Sequence, residues 1–250
     1  MLWRKFHLNW RYALGEFAIV VLGVLAALGV DNWNSDRKDR LLEIEYIVAI
    51  LEDLRKDDAA TQFSMEEAET NSNLGRILLK AMDEETVSVA ASEFVTAAAR
   101  SSWLHIPTYT RVTFNDLMST GNLRLIRSNA IRASISTYYT DVEQRGLEQV
   151  LREHQSRMGR LIAEFLPLDF REAQLYELTG GPPWAPKTIT ATDSDTRAIL
   201  DSMLTHPDVR PALEIMIRTQ GRQYVRLVAV RDRLHKLIAE LEAYQRELET

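Results

Sequence analysis

Apolar residues run together near the start of the chain and recur at helical spacing through the rest of it. From Phe17 to Val30 fourteen residues carry no charge, and from Tyr12 to Val30 there are nineteen with Glu16 as the one charged side chain. Extended to Trp10 and Trp33 the stretch spans 24 residues. At about 1.5 Å rise per residue that covers a hydrocarbon core of about 30 Å. Trp10 and Tyr12 at one end and Trp33 at the other stand where interfacial aromatics are expected. The pattern predicts a short basic tail (1–11), a transmembrane helix (12–33) and a soluble domain (34–250). A cleaved signal peptide is the rival, with Arg4, Lys5 and Arg11 as its basic region and Ala27-Leu28-Gly29 as the cleavage site. Glu16, abutting the apolar run, weighs against it.

Beyond Trp33 no second apolar run approaches eighteen residues, and the period is helical throughout. Leu41, Ile44, Val48, Leu51 and Leu54 recur at three and four, so the membrane helix is expected to continue outward without a clear break. Gln62 to Met82 repeats the pattern, and Ser88 to Arg100 reads as an alanine-rich helix capped by Ser88. Thr113 resembles an N-cap with Asp116 three residues on, and Gly121 stops that short helix. Asn129 caps a long helix expected to run to Leu166, ended by Pro167. In the last helix, with Pro207 near its first turn, Leu213, Ile217, Gln220, Tyr224, Leu227, Arg231, Leu234, Ile238, Leu241, Gln245 and Leu248 alternate steps of four and three. A seam this regular belongs in a coiled coil or long bundle. The one β-like stretch, Lys187 to Thr192, lies inside a loop from Gly180 to Ser194. The predicted fold is all-α: one N-terminal transmembrane helix followed by an elongated helical bundle with long coiled-coil-like helices.

Composition and charge narrow the chemistry. The 250 residues include no cysteine, which removes disulfides, thiolate metal sites and cysteine nucleophiles. Thirty Lys and Arg against thirty-six Asp and Glu leave a net charge of -6, the wrong balance for a nucleic-acid partner. The five histidines are scattered, with no zinc-ligand spacing, no phosphate loop and no Gly-x-Ser-x-Gly elbow. No catalytic residue, metal ligand or cofactor is therefore expected, and an enzyme is the least supported class.

Two blocks carry a resemblance. Tyr12-Ala-Leu-Gly-Glu-Phe17, the run from Ile19 to Leu28 and Asp31-Asn-Trp-Asn34 form the first; Thr113 to Ile126, followed by Tyr138-Tyr139, forms the second. Together they resemble an uncharacterised family of bacterial single-pass membrane proteins, a domain of unknown function. In that family Asn stands where this chain has Asp31. The resemblance implies a membrane anchor plus a helical domain and brings no activity with it.

The remaining candidates concern partners. Glu16 lies about one turn from the interface, where it either snorkels towards Arg11 or pairs with a partner helix. Gly15, Ile19, Gly23 and Ala27 form a stripe at spacing four that lets two helices approach closely in lipid. Trp103, Tyr109 and Trp184 fall in proline-stiffened segments, either as anchors for a partner or as plugs at the bundle ends. Arg218, Arg222 and Arg226 stack at spacing four, as a solvated face or as a phosphate or lipid-headgroup site. Lys and Arg count equally on the two flanks of the span, three and three, and the acid-free basic tail favours an N-terminus in the cytoplasm. The expectation is a single-pass protein of the bacterial inner membrane with a periplasmic bundle. Its partners would be the lipid bilayer and other integral membrane proteins, with a homo-oligomer also open. As function, a non-enzymatic accessory subunit stabilising a larger membrane complex leads, with a membrane-anchored helical sensor or ligand-binding protein as the alternative.

Overall fold

The computed structural model describes residues 10–143, 145–179 and 190–250, except the side chains of 10–13, 15, 145–147 and 174–179. The chain is all-α. Among the described residues are eight helices and no strand: α1 (Trp10–Glu84), α2 (Ala91–Arg100), α3 (Val112–Thr120), α4 (Asn129–Val142), α5 (Arg145–Phe165), α6 (Leu168–Thr179), α7 (Asp193–Thr205) and α8 (Val209–Glu249). A short 3-10 turn, Asn122–Leu125, joins α3 to α4.

The first helix is 75 residues long and unbroken. It is apolar and long enough to cross a membrane in its first part. Its described side chains from Leu14 to Leu42 are all exposed, and the first buried one is Glu43. From there α1 is the spine of the bundle. The 41-residue α8 runs back along it, and α2 to α7 pack over the pair. The two spines meet closely at Gly75, where a Cβ would stand 2.7 Å from Ile217 Cγ1.

Two separate cores result. The one nearer the apolar segment gathers Ile47, Ile50 and Leu54 of α1, Phe114 and Leu117 of α3, Ile135 and Tyr139 of α4, and Leu234 and Leu241 of α8. The farther one gathers Leu78, Phe94, Met158, Ile162, Met203, Leu213 and Met216. The predicted helix from Asn129 to Leu166 is therefore two helices. Ser128, not Asn129, caps the first, accepting from the Ile131 N–H at 3.3 Å. The division lets α4 bury Ile135, Tyr138 and Tyr139 in the near core while α5 buries Met158 and Ile162 in the far one.

Two predicted caps also differ. The alanine-rich helix starts at Ala91 rather than at Ser88, because Val87 and Val89 pack against the far core in the connection before it. Thr113 does not cap α3. Its N–H is taken instead by Asp53 Oδ2 at 3.2 Å, a carboxylate reaching across from α1. Gly121 does end α3, in the left-handed region with φ 71. Pro207 stands near the first turn of α8, two residues before its start, and Pro211 falls within that turn.

The seam of α8 is broader than a two-helix seam. Leu213, Gln220, Leu227, Leu234 and Leu241 are buried, but Ile217, Tyr224, Arg231 and Ile238 are half-buried. A further row, Met216, Gln223, Val230 and Leu237, is buried in addition, because α8 packs on α4 and α5 as well as on α1.

Candidate functional site

Between the two cores lies a polar layer. Asp53, Asp57, Thr61, Ser64 and Asn71 of α1 and Thr219, Gln220 and Gln223 of α8 are all buried. Burying so many polar groups is costly unless they are paired. Three of them, Asp57, Gln220 and Gln223, hold the irregular segment 101–111, whose backbone has no helix to satisfy it. Gln220 Nε2 donates to the Trp103 carbonyl at 2.6 Å and Gln223 Nε2 to the His105 carbonyl at 2.5 Å. Asp57 accepts the Thr110 N–H at 2.6 Å and the Tyr138 hydroxyl at 2.8 Å. Ser64 Oγ lies 2.8 Å from His105 Nδ1. Arg100 forks onto Glu67 at 2.7 and 2.9 Å while stacking over the Trp103 ring at 5.2 Å.

Burial pushes the Asp57 carboxyl above its ordinary value, against the two hydrogen bonds that favour its charge. Burial and the nearby Asp57 charge push the Tyr138 and Tyr139 hydroxyls up as well. Burial raises Tyr109 too, opposed by a bond to Thr61 and by the charge of Arg226.

Beside this layer, between segment 106–111, α5 and α8, opens a cavity of about 670 Å³. That volume falls in the range of small-molecule sites. Its polar lining includes Tyr109, Arg111, Arg152, His154, Arg222 and Arg226, and its apolar lining includes Ile106, Val150, Leu151 and Leu227. Its two acids are committed: Glu143 pairs with Arg111 at 3.0 Å and Glu148 with Arg152 at 2.6 Å. His154 Nδ1 lies 2.9 Å from Thr219 Oγ1. Arg222 and Arg226 form no ion pair or hydrogen bond with any described residue. No cluster of three or more metal-ligating side chains occurs among the described residues.

The structure thus divides the basic stripe. Arg222 and Arg226 line the cavity, whereas Arg218 stands outside it and donates to the Glu214 carbonyl at 3.3 Å. Tyr109 lines the cavity too, while Trp103 is half-buried beneath Arg100. Trp184 lies outside the described residues, as do residues 1–9 of the basic tail, the side chains of Trp10 and Tyr12, and the surroundings of Gly15. In the span Glu16, Ile19, Gly23, Ala27 and Trp33 are all exposed. The sequence reading missed Arg111, Arg152, His154 and Gln223, which come from three separate segments; the fold alone brings them to one cavity. Compared with known proteins, the chain matches no family model, no curated protein and no solved structure.

Proposed function

We propose that the chain is a single-span protein of the bacterial inner membrane, with a cytoplasmic N-terminus and a periplasmic bundle. In this reading it docks as a non-enzymatic accessory subunit on other integral membrane proteins. The observation that carries the proposal is the continuity of α1. One helix leaves the apolar segment and becomes the spine of the bundle with no hinge between them. Whatever the span packs against is thereby held in fixed relation to the bundle, which is what a bracing subunit requires.

Two features support a protein partner in addition to lipid. Gly23 and Ala27 are exposed on the same stripe as Ile19, and nothing stands within 4 Å of a Cβ placed on Gly23. Close helix approach in lipid depends on such small residues. Glu16 is exposed near the same stripe, and a carboxylate at membrane depth gains from a donor on a neighbouring helix.

The test is gentle detergent extraction from native membranes, followed by a native gel and mass spectrometry of the band. The expected result is a large band of fixed composition containing other membrane proteins, lost in a Gly23→Leu variant whose bundle still melts as the parent does. A band holding this chain alone, as monomer or dimer, would overturn the proposal.

A further inference from the structure

We propose that the cavity between segment 106–111, α5 and α8 binds a small water-soluble organic anion, held by Arg222 and Arg226. The ligand class is a carboxylate or phosphate ester with a short apolar body. This goes beyond docking by the span, and the two fail separately: a chain without partners still binds a ligand, and a docked chain need not.

Charge is the first argument. Arg111 and Arg152 are each matched by a glutamate that also lines the cavity, at 3.0 and 2.6 Å. Arg222 and Arg226 are not matched by any described residue, so two positive charges remain in a cavity of about 670 Å³. They sit one turn apart on α8, about 6 Å between Cβ atoms, where like charges repel. Guanidinium forks fit carboxylate and phosphate oxygens in pairs, and two forks at this spacing suit a doubly charged group or two carboxylates.

The second argument is shape. Ile106, Val150, Leu151 and Leu227 add apolar lining to the cavity that holds the cations. An inorganic ion would leave that lining unused, so the ligand carries a hydrocarbon body.

Height above the membrane sets the source. Arg231 of α8 bonds Asp58 of α1 at 2.8 Å, and Ile217 faces Gly75, so Arg222 and Arg226 stand level with residues near Glu66. From Trp33 to Glu66 the unbroken helix rises about 50 Å, and still about 35 Å if tilted by about 45°. No headgroup of the bilayer that holds the span reaches that level. The anion therefore comes from solution.

The experiment uses the full chain in nanodiscs, titrated calorimetrically with phenyl phosphate and, separately, with benzyl alcohol. Phenyl phosphate is expected to bind at least about tenfold more tightly than benzyl alcohol. Its affinity should fall at least about tenfold in the double variant Arg222→Gln/Arg226→Gln. Neither arginine has a hydrogen-bond or ion-pair partner among the described residues, so the variant should fold, and an unchanged melting temperature without ligand confirms that it has. Binding should be the same in nanodiscs of phosphatidylcholine alone and in those containing phosphatidylglycerol. Equal binding of the two probes, or unchanged affinity in the double variant, would overturn the anion site. Loss of phenyl phosphate binding when phosphatidylglycerol is present would mean that headgroups fill the cavity, and would overturn the soluble source.

Discussion

The two halves of α1 are one helix with two kinds of surface. Ile19 in the first half is 72% exposed, whereas Ile47 in the second is fully buried. Within the first half, the segment from Phe17 to Val30 is apolar on every face, the pattern of a helix that meets hydrocarbon all round. The second half is striped, and its buried face carries Glu43, Asp53, Asp57, Thr61 and Ser64 among its aliphatic residues. Hydrophobicity is thus highest where nothing in the chain covers it, and polar groups go inside where other helices can bond them. A helix that looked uniform in secondary structure is divided by what surrounds it.

The largest effect should come from emptying the covered half. Leu78→Ala removes a fully buried side chain of the far core and is expected to cost about 2–5 kcal/mol in denaturant unfolding of the full chain. Leu22→Ala, in the exposed half, should change the same transition by less than about 0.5 kcal/mol. A large loss at Leu22 would show that the span and the bundle do not behave as separate regions. A smaller cost is expected where the spines touch. Gly75→Val drives a side chain into Ile217 and should cost about 1–3 kcal/mol. Pairing it with Ile217→Ala should recover part of that loss, giving a non-additive double-mutant cycle.

The finest distinction is in pH. Burial raises the Asp57 carboxyl in the folded chain, so the folded state holds that proton more tightly than the unfolded state does. Its contribution is then most favourable below the unfolded value of about 3.9 and is lost as pH rises through the raised folded value. Replacing the residue in Asp57→Asn should flatten that part of the stability profile.

Much of this was legible in the order of apolar residues. The span, its outward continuation, the stop at Gly121 and the end of α5 before Pro167 all follow from local pattern. What was not legible involves more than one partner. The heptad reading of α8 found the row through Leu213 and Leu234 but not the row through Met216 and Val230, because a seam presumes one neighbour and α8 has several. The cap of α3 comes from Asp53, sixty residues upstream, so no local motif announces it. The long helix from Asn129 divides because its two ends serve different cores, a fact of tertiary packing. The arginine stripe was visible as spacing, but the cavity that separates Arg222 and Arg226 from Arg218 has walls from three distant segments.

The unbroken α1 also fixes an azimuth. Each residue turns the helix by about 100°, so the compass direction in which the cavity looks is set by the number of residues between the span and Glu43. Adding one residue in the exposed stretch from Asn34 to Leu42 would swing the whole head a quarter turn and more while lifting it by about 1.5 Å. Adding seven would bring it back to within about 20° of its original bearing, about 10 Å higher. Length and facing are therefore one quantity in this molecule, and neither changes without the other.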